Sequence, residues 1–206
     1  MKSKIGVFGG TFDPVHMAHL HMAQCALEQA GLEKVIFVPN GTPPHKNQDN
    51  IIDARHRYNM LVLATEGNPG FEVSDYELTK GGYCYTVDTM RYFKATYPEW
   101  EFVFIVGADS LDYLDKWHES RSLIRENHFI VAAREFRPGY SLAENVRRIT
   151  DMGGSVEVIH MPPLEISSTY IRRLASKGGN VEYLTTPQVG RYISDNKLYR
   201  SCANDN

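Results

Sequence analysis

The sequence predicts a doubly wound α/β domain with a mainly parallel sheet. Short, continuous apolar runs such as IGVF (5–8) and FVFIVG (102–107) alternate along the chain with longer amphipathic stretches. Strands that are apolar throughout are typical of a parallel sheet covered by helices on both faces. No linker interrupts the 206 residues, so we expect a single domain. The spacing of the runs predicts about five or six strands.

The order of the elements follows from apolar periodicity and turn residues. Asp53 and Ser141 are the expected N-caps of the helices that follow them, whereas Gly31 and Pro98 end the helices that precede them. The predicted strands are 5–8, 35–39, 102–107, 128–134 and 156–161, with one or two short, half-exposed strands in 71–78. The predicted helices are 17–31, 53–66, 85–97, 141–150, 167–179 and 186–196, with one or two short helices in 110–127.

Composition limits the classes of partner and compartment. A formal net charge of -3 gives no general attraction to nucleic acid or to an anionic membrane, so we expect neither as a partner. Any anionic ligand must then be met by a local cluster of positive groups. The cysteines Cys25, Cys84 and Cys202 are odd in number and far apart, which is typical of a reducing compartment. Neither a leader sequence nor a membrane-spanning run is apparent, and we expect a cytoplasmic protein.

The segment GGTFDPVHMAHLH (9–21) joins the first strand to the first helix. Gly9 and Gly10 allow backbone N–H groups to approach a phosphate closely. His16 and His19 share one face at the positive end of the helix dipole, whereas His21 falls off that face. The third glycine of a dinucleotide fingerprint and the lysine of a Walker loop are absent. A plain turn, polar residues at a helix start and a zinc site remain alternatives, although no third zinc ligand is apparent nearby.

A second candidate anion site lies in ISSTYIRR (166–173). Ser167, Ser168 and Thr169 open a helix, and Arg172 lies about one turn further on. Ordinary helix capping without function is the alternative. Two anion sites at helix N-termini in one domain favour a polyphosphate ligand and its transfer partner. His45 and Lys46, in the loop after the second strand, add a further pair of donors.

These motifs together resemble a known family. GGTFDPVHMAH is similar to the first signature of the HxGH nucleotidyltransferase superfamily, and ISSTYIR to its second. PNGTPPHK, YCYTVDT, FIVGADSLDYLDKW and the terminal LYR narrow the resemblance to bacterial nicotinate-nucleotide adenylyltransferases, from about Lys4 to Arg200. Two departures stand out: Ala18 replaces the glycine of HxGH, and AAREFRPG carries two extra residues before Pro138, which blurs the alignment of Arg134 and Arg137.

The resemblance implies a Rossmann-like nucleotidyltransferase fold of one domain, 1–206, with the last helices (about 167–200) packing on it. It implies transfer of AMP from ATP to nicotinate mononucleotide by direct in-line attack, without a covalent intermediate, with Mg²⁺ accompanying ATP and with no dedicated metal ligands from the protein. A homo-oligomer is compatible with the sequence. The rival hypotheses are a different acceptor (the amide mononucleotide or phosphopantetheine), an ATP-binding sensor without catalysis, and a zinc protein.

The resemblance also assigns roles to individual residues. The catalytic residues are His16, His19 and Arg172. The ATP-binding residues are Gly9, Gly10, Thr11, Phe12, Gly107, Asp109, Arg134, Ser167 and Ser168. The mononucleotide-binding residues are His45, Lys46, Thr86, Trp117 and His118, with Trp117 stacking on the pyridine ring. From the residues alone, Trp117 is more typical of a core aromatic, and Thr86 and Asp109 are typical of helix N-caps.

Overall fold

The computed structural model describes residues 2–41, 51–134 and 141–200. Its centre is a sheet of six parallel strands in the order β3-β2-β1-β4-β5-β6. The strands are β1 Lys4–Gly10, β2 Lys34–Pro39, β3 Phe71–Val73, β4 Glu101–Gly107, β5 His128–Arg134 and β6 Ser155–Met161. The predicted fold class is therefore confirmed, and the sheet is wholly parallel rather than mainly so.

Helices cover both faces of the sheet. They are α1 Met17–Gln29, α2 Ala54–Thr65, α3 Tyr76–Lys80, α4 Thr86–Thr96, α5 Ser120–Glu126, α6 Leu142–Asp151, α7 Ser168–Ser176 and α8 Pro187–Asp195. A 3-10 segment, Ala108–Lys116, follows β4 directly. In the described ranges, no helix is both long and apolar enough to cross a membrane.

The two faces of the sheet bury separate apolar clusters. Along β4, Val103 and Ile105 belong to the cluster beneath α1, α2, α7 and α8, whereas Phe104 and Val106 belong to the cluster beneath α4 and the 3-10 segment. Successive side chains of a strand point to opposite faces, so a strand that is covered on both sides is apolar at every position. This explains why FVFIVG is a continuous apolar run.

The strand order places a crevice between β1 and β4. The chain runs outward from β1 through β2 to β3 and then returns to β4, which pairs with the other side of β1. At such a reversal the connections leave β1 and β4 in opposite directions, and a groove opens at their carboxyl ends. The groove is therefore bounded by the turn after Gly10 and by the segment after Gly107.

Two helix N-caps agree with the sequence prediction, whereas one strand boundary does not. Asp53 accepts a hydrogen bond from the backbone N–H of Arg55, and Ser141 accepts one from Glu144, as predicted. The prediction of strand through residues 71–78 was wrong beyond Val73. There the carbonyl oxygen of Asp75 accepts from two later backbone N–H groups and starts the short helix α3.

Two further local assignments differ from expectation. Tyr85, and not Thr86, is the N-cap of α4. Asp109 lies inside the 3-10 segment, whose N-cap is Gly107. In both cases the N-cap lies one or two residues before the polar side chain that suggested it, a boundary shift that sequence patterns do not resolve. The start of α1 at Met17, with His16 as its N-cap, agrees with the predicted helix start.

Truncating the centre of the sheet tests the buried packing. Ile105 is fully buried and packs on the α1 side of β4. We expect Ile105→Ala to lower the free energy of unfolding by about 3 kcal/mol, because it removes apolar contacts and leaves a cavity. Val62→Ala, at an exposed position of α2, is the control and should change it by less than about 0.5 kcal/mol. Urea unfolding of both variants measures the difference, and equal losses would contradict this picture of the core.

Candidate active site

A cavity of about 280 Å³ opens at the carboxyl ends of β1 and β4. The turn after β1 forms one wall of the cavity, and the start of α4 forms a second. The third wall is formed by the 3-10 segment and the residue after it, whose aromatic rings face the cavity. The lining residues are Gly9, Gly10, Thr11, Asn40, Glu77, Thr86, Thr89, Phe104, Ser110, Tyr113 and Trp117. Five of the predicted site residues for ATP and the mononucleotide therefore face one space: Gly9, Gly10, Thr11, Thr86 and Trp117.

The turn after β1 is shaped around a buried aromatic ring. Phe12 has a positive φ of 48° and packs edge-on against Phe8 and His19, with ring centroids 5.4 and 5.1 Å apart. A Cβ on Gly10 would lie 2.9 Å from the Phe12 ring, so only glycine fits there without a shift. The side chain of Phe12, expected to bind ATP, is part of the core. Any contact that Phe12 makes with a nucleotide would come from its backbone.

His16 and His19 form a stacked pair at the start of α1. Their ring centroids are 3.7 Å apart, and the backbone N–H of His16 donates to Nδ1 of His19 at 3.3 Å. A nitrogen that accepts a hydrogen bond carries no proton, so a neutral His19 holds its proton on Nε2. The backbone thus fixes the tautomer and makes Nε2–H the donor that His19 presents. His21, which was expected to lack a site role, contacts Cys25 instead.

Helix α7 is bonded to this turn although it lies more than 150 residues further along the chain. Ser168 Oγ donates to the carbonyl oxygen of Pro14 at 2.9 Å, and Arg172 Nη1 donates to that of Asp13 at 2.7 Å. Ser167 caps the helix by accepting from the backbone N–H of Tyr170. The two sequence motifs therefore form one surface. The Ser168 hydroxyl donates its proton to the carbonyl oxygen of Pro14. An anion at the N-terminus of α7 would therefore be met by the backbone N–H of Ser168 and by the Ser167 hydroxyl.

Asp13 is a buried carboxylate held from two sides. It is 2% exposed, accepts a hydrogen bond from the Tyr199 hydroxyl at 2.8 Å and lies 3.8 Å from Arg172 Nη1. Burial, together with the neighbouring Asp13 carboxylate, raises the pKa of the Tyr199 phenol well above its usual range. Tyr199 therefore stays protonated and donates. Sequence reasoning noted LYR only as part of the resemblance, and its contact with Asp13 was not foreseen.

Arg57 is the site residue that sequence reasoning missed altogether. Its side chain is 1% exposed, and its guanidinium donates to backbone carbonyl oxygens on three separate segments. The acceptors are Thr11 at 2.8 Å, Asn40 at 2.6 Å, Gly41 at 3.1 Å and Ile52 at 3.3 Å. Burial lowers the pKa of the guanidinium, and the carboxylate of Asp13 is foremost among the groups that oppose this shift. The sequence did hold a sign that Arg57 is buried: it lies three and four residues before Met60 and Leu61, and so shares the buried face of α2 with them.

One wall of the cavity is aromatic. The Trp117 ring lies at the end of the 3-10 segment and meets Phe104 edge-on, with centroids 6.2 Å apart. The side chain of His118 stacks on Tyr85 at 3.9 Å, on the residue before Thr86. That stack holds the end of the 3-10 segment against the start of α4, which brings Thr86 and Trp117 onto the same cavity.

The remaining predicted residues are placed less completely. Gly107 ends β4 beside the crevice, and Asp109 follows it in the 3-10 segment. Arg134 ends β5, and its backbone alone is described. His45, Lys46 and Arg137 lie outside the described residues. Within 2–41, 51–134 and 141–200, no group of three His, Cys, Asp or Glu side chains is arranged to hold a metal ion.

A crevice at the switch point of a parallel sheet, flanked by two helix N-termini, defines the class of nucleotide-binding α/β proteins. The cytidylyltransferase-like family matches residues 7–174. A "Probable nicotinate-nucleotide adenylyltransferase" of Symbiobacterium thermophilum is 40% identical over 201 residues, covering 96% of this chain and 95% of that protein. One of Moorella thermoacetica is 43% identical over 202 residues, covering 96% and 92%. The chain belongs to the cytidylyltransferase-like family and, within it, to the nicotinate-nucleotide adenylyltransferases.

Solved structures agree at the level of the fold. The nicotinic acid mononucleotide adenylyltransferase of Plasmodium falciparum, complexed with NaAD, superposes with a TM-score of 0.80 at 22% identity. The alignment covers 96% of this chain and 97% of that one. The same protein complexed with APC gives a TM-score of 0.78. The six-stranded parallel sheet with its flanking helices is thus shared over nearly the whole chain.

Replacing Arg57 by lysine tests how the turn is held. Lysine keeps the positive charge but has three donors on a single nitrogen, so it cannot reproduce the four bonds that the planar guanidinium makes. We expect Arg57→Lys to lower the free energy of unfolding by about 2–3 kcal/mol, because buried carbonyl oxygens lose their donors. Arg55→Lys, at an exposed position of the same helix, should change it by less than about 0.5 kcal/mol. Thermal and urea unfolding measure the stability of both variants. An Arg57→Lys variant as stable as the wild type would contradict the assigned role.

Proposed function

We propose that the protein transfers AMP from ATP to nicotinate mononucleotide, giving nicotinate adenine dinucleotide and pyrophosphate. The observation that carries the proposal is the bonding of Ser168 and Arg172 to the turn that precedes His16. It brings two helix N-termini to one crevice, next to an aromatic cavity. The helix N-termini suit the phosphates of a nucleoside triphosphate, and the aromatic cavity suits the planar base of a mononucleotide. The names of the relatives support the choice of acceptor.

In the proposed reaction, a phosphate oxygen of the mononucleotide attacks the α-phosphorus of ATP in line. One P–O bond forms at the α-phosphorus, the bond to the bridging oxygen of the β-phosphate breaks, and pyrophosphate leaves. The attacking oxygen is already anionic, so the step needs no strong general base and no covalent intermediate. Catalysis then consists of positioning the two substrates and neutralising charge on the phosphates.

We assign the phosphate contacts to the donors around the turn. Nε2–H of His19, the His16 ring and the Arg172 guanidinium would meet the phosphates of ATP. Gly9, Gly10 and Thr11 would leave room for them, and Ser167 and Ser168 would hold the outer phosphates. Phe12 would support the turn from below and offer its backbone. Gly107, Asp109 and Arg134 would lie on the adenosine side.

We assign the aromatic wall to the mononucleotide. Trp117 would stack on the pyridine ring, while Thr86 and the backbone N–H of His118 would meet the nicotinate carboxylate at the start of α4, where the helix dipole favours an anion. His45 and Lys46 would serve the mononucleotide phosphate. We also propose that residues 1–206 act as one domain, since Arg172 and Tyr199 both bond to the turn after β1.

Magnesium is proposed as part of the MgATP substrate. The described residues offer no cluster of carboxylates for an all-protein cage. Asp13, which lies nearest the turn, is already engaged by Tyr199 and faces Arg172. Phosphate oxygens and water suit Mg²⁺ as ligands, and the ion would spread the negative charge of the triphosphate. The chain's own contribution is the set of N–H donors described above.

Measuring the products with three acceptors tests the function. Purified protein is incubated with ATP, Mg²⁺ and either nicotinate mononucleotide, nicotinamide mononucleotide or phosphopantetheine. Dinucleotide and pyrophosphate should form in equal amounts, and fastest with the nicotinate form. ATP binding without pyrophosphate release in all three mixtures would identify a sensor and refute the proposal. Faster turnover of the amide or of phosphopantetheine would refute the acceptor.

Two histidines of the same segment provide a matched pair. We expect His19→Ala to lower kcat by about 10²–10³-fold, because it removes a preorganised donor to charge that develops in the transition state. His21→Ala should stay within about twofold of the wild type, since His21 contacts Cys25 on another side of α1. Circular dichroism checks that both variants fold. Equal kinetics for the two would contradict a phosphate role for His19.

Two arginines of α7 provide a second pair. We expect Arg172→Ala to lower kcat/KM by about 100-fold, since it loses a charged donor and the bond to the Asp13 carbonyl. Arg173→Ala removes only an exposed contact with the Tyr170 ring and should lower kcat/KM by less than about threefold. Steady-state pyrophosphate release measures both, and a larger defect in Arg173→Ala would contradict the assignment.

A further inference from the structure

Glu77 is a buried carboxylate that the proposed mechanism does not use. It lies in the first turn of α3, is 3% exposed and lines the cavity. One carboxylate oxygen accepts from Thr89 Oγ1 at 2.6 Å and the other from Asn40 Nδ2 at 3.2 Å. The backbone N–H of Gly41 also donates to it. Burial raises the pKa of the Glu77 carboxyl, and the hydrogen bonds from Thr89, Asn40 and Gly41 oppose that shift because they favour the ionised form.

The backbone around Glu77 is fitted closely to the end of β2. A Cβ on Gly41 would lie 2.3 Å from the carbonyl oxygen of Glu77, so glycine alone allows α3 this near. Asn40, which precedes that glycine, gives its carbonyl oxygen to Arg57 and its side-chain amide to Glu77. The position of the carboxylate is therefore set by the same framework that holds the turn after β1.

Charge is divided between two ends of the site. Of the residues described as lining the cavity, Glu77 alone carries a formal charge, and its neighbours there include the rings of Phe104, Tyr113 and Trp117. The groups suited to anions, including Arg172 and the N-termini of α1 and α7, belong to the other end, around the turn after β1. A carboxylate beside aromatic faces, shielded from water, favours a flat cation.

We propose that Glu77 is a specificity-determining residue that supplies the counter-charge for a pyridinium ring. The inference rests on the proposed function and narrows its substrate class to mononucleotides whose base is positively charged. A pyridine joined to ribose through nitrogen carries a permanent positive charge at that nitrogen. Near Glu77 this charge is stabilised, while the anionic substituent of nicotinate is met by the N–H donors at the start of α4, at Thr86, and not by the Thr89 hydroxyl that already bonds Glu77. Neutral bases of the same shape gain nothing from the carboxylate.

The test compares two rings that differ in charge. Glu77→Gln removes the charge and nearly preserves the volume. Its kinetics are measured with nicotinate mononucleotide and with the 1,4-dihydro form of the same mononucleotide, whose ring is neutral. We expect kcat/KM to fall by about tenfold with the pyridinium substrate, mainly through KM, because the ring loses its counter-charge when it binds. With the dihydro substrate the change should stay below about twofold, and KM for ATP should not change.

A matched control and the wild type keep the outcomes separate. Glu72→Gln removes a carboxylate that pairs with Lys34 on the exposed side of β3, and it should leave the ratio of the two substrates as in the wild type. If Glu77→Gln lowers kcat/KM equally with both substrates, Glu77 has only a structural role. If kcat/KM changes with neither substrate, Glu77 has no role in the site. Both results overturn the inference while the wild type still makes dinucleotide. A wild type inactive with every acceptor would instead refute the proposed function.

Discussion

The geometry of the crevice depends on a positive charge buried beneath it. Arg57 binds carbonyl oxygens from the turn after β1, the end of β2 and the segment before α2, and so fixes the separation of the three segments. Burying a guanidinium is costly unless its donors are satisfied and negative charge lies nearby. Here backbone carbonyl groups satisfy the donors, and the buried carboxylates of Asp13 and Glu77 lie within electrostatic reach.

The same principle extends across the turn to α7. Asp13 faces Tyr199 and Arg172, and Arg172 in turn bonds to the backbone of the turn it serves. Side chains thus hold the backbone carbonyl groups of Thr11, Asp13 and Pro14. The phosphate site that we propose here is organised before its ligand arrives, so little reorganisation is needed when charge shifts during the reaction. The fixed tautomer of His19 is part of that organisation.

The sequence alone predicted the elements that a single pattern determines. Continuous apolar runs located five strands of a sheet buried on both faces, and the side chains of Asp53 and Ser141 located helix starts because each acts within three residues of itself. Helix α3 was missed because FEVSDYEL alternates like a strand, while Glu77 is buried against α4 and the end of β2. Arg57 and Tyr199 were missed for the same physical reason. Their partners lie 46 and 186 residues away, and spacing along the chain holds no record of such contacts.

The bond between Tyr199 and Asp13 also bears on how the molecule folds. The two residues are 186 positions apart in the sequence. A contact of such long separation forms only after the chain between its ends has been closed into a loop, at a cost in conformational entropy. A state that has paired β1, β2 and β4 but has not docked the segment around Tyr199 lacks one of the two side-chain contacts that hold the Asp13 carboxylate. The turn that precedes His16 is therefore completed by a residue far from it in the sequence.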